Sequence, residues 1–158
     1  MKARSIATTL IVWLALMASL ACGNGDQGRF EQSGYTECSE CNLANADLRN
    51  LRYVDNVRVD LYWANLAKAN LSGANLNIAG LRRADLSGAD LSGANLTRAD
   101  LSGADLSGAN LTRANLAYAY LIGANLTDAD LTDADLAGAN LKYVIGADFT
   151  GAKNVPAK

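Results

Sequence analysis

The sequence predicts an all-β solenoid, in which very short strands coil around a core of leucine and alanine. Leucine stands at every fifth position from Leu61 to Leu141, 17 times without a break. Alanine stands two positions before each leucine from Ala64 to Ala139, 16 times in succession, and the residue between them is nearly always Asp or Asn. A period of five matches neither the 3.6 of a helix nor the 2 of a long strand, so we expect a repeating coil.

Each repeat has the form A(D/N)Lxx, and its parts can be assigned in order. The alanine and the leucine are two positions apart, so in an extended backbone both point to one side while the Asp or Asn points away. The next two residues are Ser-Gly, Thr-Arg, Thr-Asp or similar pairs, which are typical of turns. Such a chain buries its apolar side chains only by winding around them, and the packed interior leaves no lumen for a ligand.

These repeats resemble those of the pentapeptide-repeat family, and the likeness extends from residue 41 to about residue 151. The resemblance implies a right-handed quadrilateral β-helix, in which four repeats make one coil and the leucine and the small residue fill the interior. The repeat phase breaks twice, by three positions each time, most simply at residues 51–53 and 144–146. The rod would then have about five coils and a length of roughly 25 Å, at ~4.8 Å per stacked strand.

Residues 1–21 differ from the rest of the chain and are predicted to be a signal peptide. Two basic residues, Lys2 and Arg4, precede an uncharged and largely apolar stretch over residues 5–21. This is the pattern of a secretory signal, and the stretch is short for a membrane span, although an uncleaved anchor helix is the alternative. The segment ends in Ala-Ser-Leu-Ala-Cys, which resembles a bacterial lipobox, except that Ser19 stands where leucine is usual. Lipidation of Cys22 is therefore predicted, while ordinary cleavage after Ala21 also fits.

The cysteine count supports this interpretation. The chain has three cysteines, Cys22, Cys38 and Cys41, and an odd free thiol is a liability in an oxidising compartment. If Cys22 carries lipid, Cys38 and Cys41 can form a structural disulfide at the entry to the first coil. The alternative is a redox or metal-binding CxxC motif, but it has no second CxxC pair, and the chain has no histidine to complete a zinc site.

The expected organisation is a signal peptide over residues 1–21, a linker and N-terminal cap over 22–40, the β-helix over 41–151 and a C-terminal tail over 152–158. The predicted location is the bacterial cell envelope, on the periplasmic or extracellular side of a membrane that holds the lipid anchor. Candidate caps of the coil are Phe30 and Tyr35 before it, and Val144, Ile145, Phe149 and Val155 after it.

One face of the predicted coil collects residues typical of contact surfaces. With four repeats per coil, residues 20 apart stack, and the face that starts at residue 60 then carries Tyr62, Trp63, Arg82, Arg83, Tyr120, Ile122, Lys142 and Tyr143. Trp63 would lie one coil below Arg83, within cation–π range. Aromatic residues and arginine are enriched at binding hot spots, so this is the candidate interaction face. The alternative is that these are ordinary surface residues with no binding role.

The middle coils look like spacer. Residues 84–98 are repeated letter for letter at residues 99–113, and because the copy advances the chain by three repeats it lands rotated by one face. Stacked acids such as Asp85 with Asp105, and acids of one column such as Asp90 and Asp130, serve solubility as well as they would serve a cation. We therefore predict no metal site and no cofactor.

The sequence argues against catalysis. Histidine, the commonest general base, is absent, and we find no nucleophile–base pair and no phosphate loop. The net charge of −2 is too small to imply a nucleic-acid partner. The sequence thus predicts a non-enzymatic, exported and lipid-anchored scaffold or protein-interaction module, with its protein partner and oligomeric state open. The alternatives are a gyrase-binding DNA mimic, which the family implies and the export signal opposes, and a thiol redox protein that uses Cys38 and Cys41.

Overall fold

The coils stack in parallel, and four repeats complete each turn. The computed structural model describes residues 36–37, 43–45, 49 and 59–157. Strand β1 (Thr36–Glu37) pairs in parallel with strand β2 (Val59–Asp60), and beyond β2 single parallel bridges join equivalent positions of successive coils, such as Asp85 with Asp105. Because the bridged positions are four repeats apart, each coil has four sides.

The four sides can be numbered in chain order. Side 1 holds the repeats of Leu61, Leu81, Leu101, Leu121 and Leu141, and sides 2, 3 and 4 follow as the chain winds on from each of them. Corners join consecutive sides, and each corner carries the last residue of a repeat. A column is the set of residues that stack at one position in successive coils.

Hydrogen bonding explains why one short pattern repeats so strictly. In the repeat of residues 84–88 the alanine N–H donates to the carbonyl of the preceding leucine at 3.2 Å, which closes a turn. The aspartate N–H bonds to the coil below at 2.9 Å, and the leucine and glycine N–H groups bond to the coil above at 2.7 and 2.8 Å. The serine N–H donates to the aspartate side chain at 3.0 Å. All five backbone donors of the repeat are therefore satisfied, as a buried or half-buried backbone requires.

The Asp or Asn of the repeat has a structural task that the sequence analysis did not assign to it. Its Oδ1 accepts the N–H of the residue two positions later, as between Asn65 and Ala67 at 3.1 Å or Asp90 and Ser92 at 3.0 Å. This is an Asx-turn, which Asp and Asn form and most other side chains cannot. Gly80 and Tyr120 carry no such oxygen, and both lie on side 1.

The interior is filled by the predicted residues. Every leucine of the repeat from Leu66 to Leu121 is fully buried, and the alanines from Ala64 to Ala139 are buried beside them. Each buried leucine contributes about 2 kcal/mol through removal of its apolar surface from water. Within the described residues no polar or charged side chain is buried, so the core depends on apolar packing alone.

The corners adopt a backbone conformation that few side chains favour. The last residue of each repeat has positive φ, and this holds for bulky residues such as Trp63 (φ 58°), Ile78 (φ 55°) and Tyr118 (φ 59°) as well as for glycine. A positive φ at the third residue of a hydrogen-bonded four-residue turn is the geometry of a type II turn. Non-glycine residues there are strained, so the surrounding ladder must hold them in place.

The first predicted phase break is confirmed by the hydrogen bonds. Leu43 N–H donates to the carbonyl of Asn65, whereas in a later coil Leu66 N–H donates to the carbonyl of Asp85. The partners of the first pair lie three positions further apart in the sequence than those of the second. This difference is the three-residue insertion, whose predicted place at residues 51–53 lies outside the described residues.

The second phase break is different from the prediction. Ile145 still pairs with Asn125 at the usual interval of four repeats, whereas the interval between Lys153 and its partner Asp135 is two positions shorter. Val144 and Ile145 therefore continue the register, and the last coil is two residues shorter than the others. In a five-residue repeat a gain of three and a loss of two give the same phase, so the sequence alone could not distinguish them.

The C-terminal cap is formed by part of the predicted set. Val144 and Phe149 pack against the core, whereas Ile145 (57% exposed) and Val155 (38% exposed) face solvent. Phe30 and Tyr35 lie outside the described residues. The ladder includes Thr36–Glu37 at one end and Lys153 at the other, and the domain boundaries at residues 41 and 151 stay predictions.

Candidate interaction face

The structure brings the eight predicted contact residues to one side of the rod. Bridges connect Asp60 to Gly80, Gly80 to Asp100, Asp100 to Tyr120 and Tyr120 to Asn140, which fixes the order of the coils on side 1. The eight residues occupy this side and the corner that follows it, in a lower group of Tyr62, Trp63, Arg82 and Arg83 and an upper group of Tyr120, Ile122, Lys142 and Tyr143.

The lower group is held together by aromatic contacts. The guanidinium carbon of Arg83 lies 4.9 Å from the ring centroid of Trp63, as the stacking of coils predicts. The Tyr62 and Trp63 rings meet edge to face, with centroids 5.7 Å apart and planes at 81°. A guanidinium stacked on an indole keeps its N–H edges directed outward, where they can bind an anion.

The neighbouring Arg82 is positioned by a weaker contact. Its Nε lies 3.8 Å from the carboxylate of Asp100, and its side chain is 56% exposed. An exposed ion pair at this distance contributes little to stability. Arg82 is thus oriented by Asp100 but remains accessible from solvent.

The upper group is more exposed and is separated from the lower one along the corner. Tyr143 is 82% exposed, Tyr120 51% and Ile122 37%. Gly103 and Gly123 stand between Arg83 and Tyr143 in the corner column, so this corner is bare for two coils. The face therefore consists of two groups of large side chains, which two glycines separate along this corner.

Tyr118 belongs to the same surface and was missed in the sequence analysis. It is 60% exposed, and it lies on the corner that leads from side 4 into side 1, in one column with Ile78 and Arg98. Gly138 stacks on it, since a Cβ at Gly138 would lie 2.7 Å from the Tyr118 ring. The four-repeat spacing placed Tyr118 in a neighbouring repeat, but a corner residue borders both of the sides that it joins.

The opposite side of the rod is acidic. Side 3 and its corners carry Asp90, Asp128, Asp130, Asp133 and Asp148. A hydrogen bond and the positive charge of Lys153, whose Nζ lies 2.9 Å from Oδ1, lower the pKa of Asp133. Hydrogen bonds from Thr132 lower the pKa of Asp130, and those from Thr150 do the same for Asp148. These three carboxylates are therefore ionised at neutral pH.

The described part of the chain offers no other candidate site. It holds no group of three or more metal-ligating side chains, and it has no helix long and apolar enough to cross a membrane. The predicted lipidation site Cys22 and the predicted disulfide partners Cys38 and Cys41 lie outside the described residues. Their roles stay predictions.

The sequence pattern of pentapeptide repeats matches this chain in eight copies, over residues 57–93, 79–116 and 109–153. The chain belongs to the pentapeptide-repeat family. The matched region is more than half of the chain and contains the whole candidate face. Pentapeptide-repeat proteins form right-handed quadrilateral β-helices and are generally non-enzymatic.

Three solved pentapeptide-repeat structures show the likeness. Rfr23 from the cyanobacterium Cyanothece 51142 is 34% identical over 74% of this chain and 86% of its own, with a TM-score of 0.52. HetL from Nostoc sp. PCC 7120, which is involved in regulating heterocyst differentiation, is 44% identical over 69% of this chain, with a TM-score of 0.48. Alr5209 from the same Nostoc strain is 40% identical over 49% of this chain, also with a TM-score of 0.48. This chain spans 46% of HetL and 64% of alr5209. No curated protein matches the sequence.

Proposed function

We propose that this pentapeptide-repeat protein is a non-enzymatic, exported and lipid-anchored scaffold or interaction module, which makes its contacts through side 1. The observation that carries the proposal is the concentration of exposed aromatic and basic side chains on that side of a solid rod. Tyr62, Trp63, Tyr120, Ile122 and Tyr143 are all at least 37% exposed there. A surface of this composition is suited to contact and has no evident role in folding.

The absence of catalytic chemistry in the proposal rests on the residue inventory. The core is Leu and Ala, histidine is absent from the chain, and the family is generally non-enzymatic. We also assign the right-handed sense of winding by family membership.

The export and anchoring part of the proposal rests on residues 1–22. A basic start, an uncharged apolar stretch and a small-residue segment before Cys22 are the features of a lipoprotein signal. With Cys22 acylated, Cys38 and Cys41 remain as a pair for a structural disulfide, which the oxidising compartment would maintain.

The test is fatty-acid labelling of the protein in a bacterial host, followed by fractionation of the cells. We expect the wild-type chain to take up the label and to remain with the membranes, and Cys22→Ser to lose the label and its membrane association. The matched control is Cys38→Ser combined with Cys41→Ser, which should retain both. If Cys22→Ser is labelled and membrane-bound like the wild type, the lipid anchor is wrong.

A further inference from the structure

We infer that the occupant of this surface is the anionic lipid surface of the membrane that anchors the chain, so that the rod lies on its side with side 1 toward the headgroups. This inference rests on the proposed function and names the contact that the proposal leaves open. The surface in question is side 1 with the two corners that border it, and we call it the aromatic face. The acidic face is side 3 with its two corners.

The two faces differ sharply in their exposed side chains. Six of the eight exposed large hydrophobic side chains among the described residues lie on the aromatic face, namely Tyr62, Trp63, Tyr118, Tyr120, Ile122 and Tyr143. The other two, Ile145 and Val155, belong to the C-terminal end of the rod. The acidic face has none, although both faces are built from the same repeat. The repeat pattern therefore does not account for the difference.

The charged residues distinguish the same two faces of the rod. The aromatic face carries four basic residues against two acidic ones, with Arg82, Arg83, Arg98 and Lys142 against Asp60 and Asp100. The acidic face carries five acidic residues, Asp90, Asp128, Asp130, Asp133 and Asp148, against Lys68, Arg113 and the ammonium of Lys153, which reaches Asp133 from side 4. An anionic surface would attract the first face and repel the second, so it would orient the rod.

The side chains of the aromatic face match the chemistry of a lipid headgroup layer. Tyr and Trp have an apolar ring and a polar tip, which suits them to the boundary between headgroups and acyl chains. Arginine and lysine are attracted to anionic headgroups, and their long stems can lie along apolar surface. Tyr120 also stands where other repeats have Asp or Asn, so an Asx-turn is given up at a position that gains an exposed aromatic ring.

The dimensions allow both groups of the face to touch one surface. Trp63 and Tyr143 stand four coils apart in one corner column, which is about 19 Å at ~4.8 Å per coil. Only residues 23–35 separate Cys22 from Thr36. Even fully extended, that segment spans no more than ~50 Å at ~3.4 Å per residue. An anchored rod is thus confined next to the bilayer, where a modest affinity is enough for docking.

An acidic protein is the other occupant that this charge distribution would accept. The tether favours the membrane, because the anchor holds the lipid surface close at all times while a protein must be encountered. The aromatic rings favour it too, since they lie toward both ends of the face and do not form one deep pocket.

The test uses Trp63 as a reporter in the mature, lipidated chain. That chain starts at Cys22, so Trp13 leaves with the signal peptide and Trp63 is its only tryptophan. This protein is reconstituted into vesicles of phosphatidylglycerol with phosphatidylethanolamine, and separately into phosphatidylcholine vesicles. The N-terminal anchor holds it on both, so the emission of Trp63 measures docking of the rod and not capture of the chain. We expect a shift to shorter wavelength, and quenching by brominated lipid, on the anionic vesicles alone.

Charge-matched variants test the face. Arg98→Asn with Lys142→Asn removes one arginine and one lysine from the aromatic face without touching Trp63. Arg113→Asn with Lys68→Asn removes the same two charges from the acidic face. Asn is used because Arg98, Arg113 and Lys68 have positive φ, which Asn tolerates better than most residues. We expect the first pair to lower the docked-to-free ratio about 30-fold and the second pair to leave it unchanged.

Each other outcome contradicts a specific part of the inference. Equal signals on both vesicle types, or equal losses in both variant pairs, would show that the aromatic face is not an anionic-lipid surface. If the protein stays on the vesicles but the emission of Trp63 remains that of a solvent-exposed tryptophan, the docking is wrong and the proposal of an anchored scaffold still stands. If polyglutamate shifts the emission of Trp63 and anionic vesicles do not, the occupant is an acidic protein. A chain that separates from both vesicle types overturns the proposed function itself.

Discussion

At the scale of single residues, the turn pair of the repeat was predicted but its conformation was not. Composition indicated a turn after each leucine, and hydrogen bonds from alanine N–H to leucine carbonyl confirm one, as between Ala69 and Leu66 at 2.9 Å. Composition could not reveal that Trp63 and Ile78 adopt positive φ, because both residues normally avoid it. The ladder above and below overrides their local preference.

Glycine is required at some corners for space as well as for φ. At Gly146 a Cβ would lie 2.8 Å from the backbone Cα of Thr127, whereas at Gly108 it would meet nothing within 4 Å. Both residues have positive φ, 66° and 63°. We expect Gly108→Ala to cost about 1 kcal/mol from backbone strain alone, and Gly146→Ala roughly 2 to 4 kcal/mol because the last coil must also shift. Chemical denaturation measures both, and equal costs would show that the close approach at Gly146 has no effect.

Asp and Asn form the same Asx-turn within a repeat, but only Asn can also donate its side-chain N–H to the stacked residue of the coil below. Asn110 lies between Asp90 and Asp130, and its Nδ2 donates to Asp90 at 3.2 Å, which a carboxylate cannot do. We expect Asn110→Asp to destabilise the protein by about 1 kcal/mol at pH 7, from the lost hydrogen bond and from stacked like charges.

The matched control for this substitution is Asn75→Asp, because Asn95 Nδ2 donates to that position and a carboxylate still accepts it. The repulsion in Asn110→Asp requires ionised carboxylates and raises their pKa. The loss of stability caused by the substitution should therefore shrink as the pH falls below about 4. Thermal melts across pH measure this. A cost that is the same at pH 3 and pH 7 would contradict the charge argument.

At the scale of the repeat and the coil, the sequence predicted most of the ladder. The four-repeat spacing correctly placed Trp63 below Arg83, and it correctly placed Asp85 below Asp105. The sequence did not reveal the membership of Tyr118 in the candidate face, because a corner residue borders two sides. It also could not separate an insertion of three from a deletion of two at the last coil, since only pairing partners distinguish them.

Core leucines should differ in importance according to their place in the stack. Leu101 is fully buried between coils on both sides, whereas Leu141 is only partly buried at the end. We expect Leu101→Ala to cost about 3 kcal/mol through the cavity it leaves, and Leu141→Ala roughly 1 kcal/mol. Urea unfolding of both variants checks this. Similar costs at the two positions would contradict a stack in which each coil is stabilised by its neighbours.

At the scale of the whole molecule, the rod combines a uniform interior with two unlike faces. The interior follows from the repeat and could be predicted from the sequence, as could the grouping of aromatic residues near side 1. The contrast between the aromatic and acidic faces emerged only when corner residues such as Arg98 and Arg113 were assigned to sides. These two residues end identical sequence blocks, 84–98 and 99–113, yet they lie at neighbouring corners, Arg98 at the edge of the aromatic face and Arg113 at the edge of the acidic face.

The central claim is that this rod is exported and held at a membrane by lipid on Cys22. Intact-mass analysis of the mature protein from native membranes, before and after reduction, tests it most directly. The account predicts a chain that starts at Cys22 with added acyl mass, and that gains two protons on reduction as the Cys38–Cys41 bridge opens. An unmodified, uncleaved chain with free thiols would contradict it.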